Sequence, residues 1–256
     1  MTSYARPLLS LLSSYRGRCE QLRLTSEWLR RVREQEHFEN FEWVLVDASA
    51  TATAQGICDD RSWIKIIHVS AEGPFHKTRY LNIASNAAEG SYWIPFDIDL
   101  LPAAGVLRLH MELALSSPRC LVSGYRLNLA EEISGRLPSS DDLLHICSEF
   151  GVASVGREDS ETALHKHLTR RHRFGVCPCL RAEWWMRSGG FDERFIGWGG
   201  EDEDFIERVC AENNISLVRC HDLIYFHQIH QSDENWRERE FTQSNRALLS
   251  RRRGES

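Results

Sequence analysis

Apolar residues along the chain fall into short runs separated by stretches of helical periodicity. Leu8 to Ser13 is an apolar run that predicts a strand, and Tyr15-Arg16-Gly17-Arg18 follows it as a loop. From Cys19 to about Glu36, Leu22, Leu29 and Val32 recur at helical spacing with Trp28 beside them. Glu42 to Asp47 and Ile64 to Val69 read as the next two strands, with a small, polar loop from Ala48 to Asp60 between them. Gly73-Pro74 punctuates the chain, His76 to Glu89 reads as a helix, and Gly90 stops it. Tyr92 to Phe96 is a fourth strand, Pro102 to Leu115 a helix with proline near its start, and Cys120 to Tyr125 another strand.

Strand and helix thus alternate through the first half, which predicts an α/β fold: a mixed, mostly parallel sheet flanked by helices. Such sheets bind ligands at the carboxyl ends of their strands. Arg16 and Arg18, Asp47, and the pair Asp97 and Asp99 occupy those ends. The second half is less regular. Ser160 to Leu168 reads as a helix before the basic cluster at 170–173, Gly175 to Leu180 as a strand, and Arg181 to Ser188 as a helix closed by Gly189-Gly190. Glu203 to Asn213 is helical, with Phe205, Ile206 and Val209 on one face, and Ser216 to Arg219 and Leu223 to Phe226 are short strands. The end, 236–256, is a charged tail closing on Arg251-Arg252-Arg253: a solvated end, or a contact for a partner or an anionic membrane surface. No long linker or repeat divides the 256 residues, so one domain over 1–256 is expected.

Charge adds an exclusion. Lysine and arginine total 31 against 37 acids, a net charge of −6, so a bulk electrostatic nucleic-acid binder is disfavoured. Only three basic residues, Lys65, Lys77 and Lys166, are lysines. No run approaches the roughly 20 apolar residues of a membrane span. The expected location is the cytoplasm, or the inner face of the membrane as a peripheral protein. The eight cysteines are scattered without metal-knuckle spacing and read as reduced, mostly buried thiols.

Three features carry chemistry. Asp97-Ile98-Asp99 follows a strand and offers two carboxylates to a hard cation such as Mg²⁺ or Mn²⁺. Gly197-Trp198-Gly199-Gly200 runs into Glu201-Asp202-Glu203-Asp204. Its glycines permit tight turns and close approach of a ligand, and Trp198 offers a flat face for a sugar ring. Acids in a first helical turn complement the helix dipole, but that does not explain glycines flanking a tryptophan. His227 and His230 read on their own as surface or core histidines, and become candidate metal ligands if Asp99 is one. In a regular strand they would face opposite sides, leaving only one to bind.

On these residues the chain resembles nucleotide-sugar-dependent glycosyltransferases of the GT-A fold, closest to the β-1,4-galactosyltransferase and chondroitin-polymerase-like group. Gly197–Asp204, Asp97–Leu100 with Pro102, Tyr15–Arg18 and Phe75–Asn82 carry the resemblance, which covers about Pro7 to His230. It implies a nucleotide-sugar half over about 1–120 and an acceptor and catalytic half over about 121–235. Asp99 would bind Mn²⁺ (or Mg²⁺), completed by His230 and His227. Asp97 would lie at the ribose and the metal's edge. Tyr15, Arg16, Arg18, Asp47 and Lys77 would belong to the nucleotide or diphosphate site of a UDP-sugar donor, and Trp198 and Gly200 to its sugar. Glu201 would hold a sugar and Asp202 would be the general base. The activity implied is inverting transfer of a hexose or N-acetylhexosamine to a hydroxyl of a saccharide or glycan acceptor. Lys77 and His76 depart from the family's arginine and asparagine, and Ala130 to Arg173 has no counterpart in it. A metal-dependent phosphatase would want its Asp-x-Asp-x-Thr near the amino terminus, whereas position 101 is Leu. The remaining alternative is a non-catalytic sugar or nucleotide-sugar binding module on a degenerate transferase fold.

Overall fold

The computed structural model describes residues 7–58, 61–129, 176–228, 230 and 240–255. The readings at 130–175, including the helix at 160–168 and the basic cluster, lie outside them. The described strands are β1 Leu9–Tyr15, β2 Phe41–Asp47, β3 Ile64–His68, β4 Tyr92–Pro95, β5 Leu100–Pro102, β6 Cys120–Asn128, β7 Val176–Arg181 and β8 Ser216–His227. The helices are α1 Cys19–Gln35, α2 Lys77–Ser85, α3 Val106–Ser116, α4 Ala182–Arg187, α5 Glu201–Asn213 and α6 Glu240–Arg253. A single 3-10 turn, Ala54–Gly56, sits in the β2–β3 connection.

The strands form one sheet in the order β3-β2-β1-β4-β7-β6-β8-β5. β1, β2, β3 and β4 pair in parallel, as do β6 and β8, while β7 and β5 pair antiparallel with their neighbours. This is the expected mixed α/β architecture and is compatible with a GT-A nucleotide-sugar transferase fold. Alternation of side chains builds two cores. Leu9, Leu11, Phe41, Trp43 and Leu45 face α1 and α3. Leu12, Val44 and Val46 face α2, α4 and α5. Helices therefore cover both faces of the sheet, and the strands read as near-continuous apolar runs for that reason.

Four elements differ from expectation. Leu100-Leu101-Pro102 is a strand, so α3 begins at Val106 after a left-handed Gly105. Helix α2 ends at Ser85, short of Glu89. β8 is one strand across the polar Cys220-His221-Asp222, because its pairing with β6 shifts register between Ser123 and Tyr125 and resumes. The chain end is not a frayed tail: α6 packs on the protein, with Thr242, Asn245 and Leu249 buried.

Pro178 lies in β7, between β4 and β6, where a proline would ordinarily break the ladder. A bulge resolves this. Val122 pairs with Cys179 and Gly124 with Val176, which leaves one extra residue on β7, and Cys177 takes φ 51°. No helix among the described residues is long and apolar enough to cross a membrane.

Candidate active site

The site forms where the carboxyl ends of β1 and β4 meet β8. β5 pairs antiparallel with β8, Leu100 opposite His227, so the register alone sets Asp99 beside that histidine. The strand ends at His227. Beyond it, Gln228 N–H donates to the Asp99 carbonyl at 2.8 Å. The Nε2 atoms of His227 and His230 lie 3.6 and 3.4 Å from Asp99 Oδ2, so both histidines reach the carboxylate rather than one.

One ligand atom from each of Asp99, His227 and His230 lies within 4.8 Å of the others, a group able to hold a metal ion. Asp99 is 3% exposed, and its Oδ1 is buried without a hydrogen-bond partner. A buried carboxylate with one orphaned oxygen, Oδ1, and two imidazoles beside the other, Oδ2, fits a divalent cation. The two nitrogen ligands favour a transition-metal ion over Mg²⁺. Burial pushes the Asp99 carboxyl up, but His227, His230 and Arg18 outweigh it and hold the group well below the usual range. Arg18 reaches Asp99 Oδ2 directly. Behind the site, Gln228 Nε2 donates to Thr25 Oγ1 at 2.7 Å, and Thr25 donates to the Ile98 carbonyl at 2.8 Å. These bonds fix the turn that carries Asp99.

The second half of the site is assembled by two segments more than a hundred residues apart. Asn82 Nδ2 donates to the Phe191 carbonyl and Asn82 Oδ1 accepts from Phe191 N–H, each at 2.9 Å. Thr78 donates to the Phe195 carbonyl at 2.9 Å, and Gly197 N–H to the Phe75 carbonyl at 3.1 Å. This zipper sets Lys77, at the start of α2, against the start of α5. Lys77 Nζ lies 3.2 Å from Asp97, 3.3 Å from Asp202 and 3.9 Å from Glu201. Burial alone would favour discharging Lys77, yet the three carboxylates keep it well above the ordinary lysine value. The Asp202 side chain is 46% exposed, so solvent screens the upward push on its carboxyl from partial burial and Asp97, which Lys77 opposes. Glu201 is 4% exposed; burial, then the neighbouring Asp202, raises it to about 7. Its Oε2 accepts from Gly199 N–H at 2.7 Å. Gly197, Gly199 and Gly200 all take positive φ, of 76°, 109° and 86°, and Gly200 caps α5. Their turns lift Trp198 to 54% exposure.

Not every sequence candidate faces this cleft. Tyr15 is 1% exposed; its hydroxyl contacts Cys19 Sγ at 3.0 Å and accepts from Thr53 at 3.2 Å, so it is a core phenol rather than a ligand-facing ring. Asp47 is fully buried and accepts from the backbone N–H groups of Ser49, Thr53 and Ala54. It organises the β2–β3 loop, which is why a carboxylate ends that strand. Arg16 donates to the Gly73 carbonyl at 2.9 Å and stacks on Phe75, bracing the loop before α2. Two residues that sequence reading missed couple to the site by charge. Cys177 packs in the apolar core at the bulge, and burial, then the charge of Asp97, pushes its thiol well up. Arg126, on β6, offsets part of the Asp202 shift by its charge. Only the proline after Cys177 hinted at the bulge, and nothing local distinguished Arg126.

A family model described as the N-terminal domain of galactosyltransferase matches residues 156–231. No curated protein matches the chain. Within the described residues the match spans β7, the Gly197–Asp204 loop, α5, β8 and both histidines, while Arg18, Lys77, Asp97 and Asp99 lie outside it; it begins at 156, inside the stretch 130–173 expected to have no counterpart in the family. It supports a galactosyltransferase-like glycosyltransferase.

Proposed function

We propose that this protein is a metal-dependent, inverting glycosyltransferase that moves a hexose or N-acetylhexosamine from a UDP-sugar to a hydroxyl of a saccharide or glycan acceptor. The observation that carries this reading is the joining of two clusters in one cleft. Asp99, His227 and His230 form a three-ligand group, and Lys77 links the neighbouring Asp97 to Asp202 and Glu201.

Asp99, His227 and His230 would hold Mn²⁺, which when bound supplies positive charge against the leaving diphosphate. Arg18 and Lys77 add cationic groups on the same side of the cleft, where negative charge develops as the glycosidic bond breaks. Trp198 presents its exposed face to the sugar ring. Asp202 is the general base: its raised carboxyl makes it a better proton acceptor than an ordinary aspartate, and Lys77 keeps it ionised. It takes the acceptor hydroxyl's proton as the oxygen attacks the anomeric carbon opposite the diphosphate, which inverts that carbon. Glu201, tied to Gly199 N–H, sets the pitch of the loop and lines the sugar site.

The test is incubation with radiolabelled UDP-sugars and Mn²⁺, following release of free sugar and UDP. Turnover lost on chelation and in Asp99→Ala is expected. Tight nucleotide-sugar binding with no turnover of any donor would favour a non-catalytic binding module instead.

A further inference from the structure

Helix α6 lies against the loop that carries Trp198, and Asn245, 2% exposed, sits at the contact. Its Oδ1 accepts from Ile196 N–H at 3.3 Å. Its Nδ2 donates to the carbonyls of Ile196 and Trp198 at 2.9 and 3.1 Å. One side-chain amide therefore satisfies three backbone groups on either side of Gly197. The same helix closes over the glycines: a Cβ added to Gly199 would lie 3.4 Å from Thr242 Cγ2, and one added to Gly200 3.3 Å from Leu249 Cδ2. Arg252 pairs with both Asp192 and the buried Asp204, and Arg253 pairs with Glu203 and Glu207 at 2.5 and 2.8 Å. Both flanks of the loop and the first turns of α5 are gripped by one element.

A four-residue segment with three glycines loses much conformational entropy when held in one shape. We propose that Asn245 is a positioning residue: through its three backbone hydrogen bonds, α6 fixes the Ile196–Gly200 loop in the conformation that presents Trp198 to the donor sugar and Asp202 to the acceptor. What the loop does rests on the transferase reading; that the loop is held does not. A misplacement of about 1 Å in a positioning group costs on the order of a hundredfold in rate, so release of this loop reads out in turnover.

The test compares the full-length wild type with Asn245→Ala and with Arg252→Gln, which loosens α6 from its more exposed end. Three quantities are read: amide exchange of residues 196–200, calorimetric affinity for UDP with Mn²⁺, and hydrolysis of UDP-galactose. In Asn245→Ala, exchange at Ile196 and the glycines is expected to speed by about tenfold or more while β1 and β4 are unchanged. UDP affinity should stay within about twofold, since its candidate ligands lie on other elements, and hydrolysis kcat should fall about tenfold or more. Arg252→Gln should move exchange and kcat in the same direction by less. Unchanged exchange in both variants overturns the proposal, as does loss of UDP affinity in parallel with kcat, which marks general unfolding. Faster exchange at wild-type kcat overturns the positioning role. A wild type that neither binds UDP nor turns over any UDP-sugar sinks the transferase reading instead, and the exchange arm still decides whether Asn245 holds the loop.

Discussion

Replacing Glu201 by glutamine should stabilise the protein at alkaline pH and leave it nearly unchanged in acid. The carboxyl is 4% exposed and sits at about 7, against an ordinary 4.5, because burial and then Asp202 disfavour its charge. At about 1.4 kcal/mol per pH unit, ionising it in the native state costs about 3 kcal/mol more than in the unfolded chain. The sign follows from proton counting. Between pH 4.5 and 7 the native state keeps a proton that the unfolded state has lost, so wild-type stability falls as pH rises through that window. Glutamine cannot ionise, and its side-chain carbonyl still accepts from Gly199 N–H. Urea denaturation at about pH 4 and about pH 8, with chelator present, should give near-equal stabilities at the lower pH and a variant more stable by about 3 kcal/mol at the higher. Groups that do not interact with Glu201 are common to both proteins and cancel, whereas Asp202 and Glu201 titrate as a pair, so the difference belongs to the pair. Parallel pH dependences would refute the assignment of a protonated Glu201 beside Asp202.

Lys77→Met removes the cation shared by Asp97, Asp202 and Glu201; the rising limb of the turnover–pH profile should move up by about one pH unit or more, with lower kcat/KM. Asn82→Ala breaks both hydrogen bonds to Phe191 and leaves that backbone without them; a loss of about 2 kcal/mol in denaturant unfolding is expected. Gly124→Ala places a Cβ 2.3 Å from the Leu223 carbonyl oxygen on the neighbouring strand, a backbone atom that cannot yield; about 2 kcal/mol or more of stability should be lost.

The parallel half of the fold is legible in sequence because its strands are buried on both faces and its helices are amphipathic. Legibility fails where stability is tertiary. β5 is three residues long and carries a proline, so its identity comes from pairing with β8. In α6 only Phe241, Ala247, Leu248 and Leu249 are apolar, and the helix is held by Asn245, Arg252 and Arg253 acting on partners some fifty residues away. At the site, residue types at Asp99, Glu201 and Asp202 are readable, since glycines flanking a tryptophan before acids have no structural excuse. Their convergence is not, because it depends on strand register and on the Asn82–Phe191 zipper. Asp47 shows the converse: a carboxylate at a strand end in an α/β sheet looks like a ligand contact, and here it caps a loop.

The most direct test is calorimetric titration of Mn²⁺ into the UDP-saturated protein, wild type beside Asp99→Ala. One Mn²⁺ should bind per wild-type chain, with affinity lowered by about a hundredfold or more in the variant. Equal binding in both proteins, or none to the wild type, would contradict a metal centre at Asp99, His227 and His230.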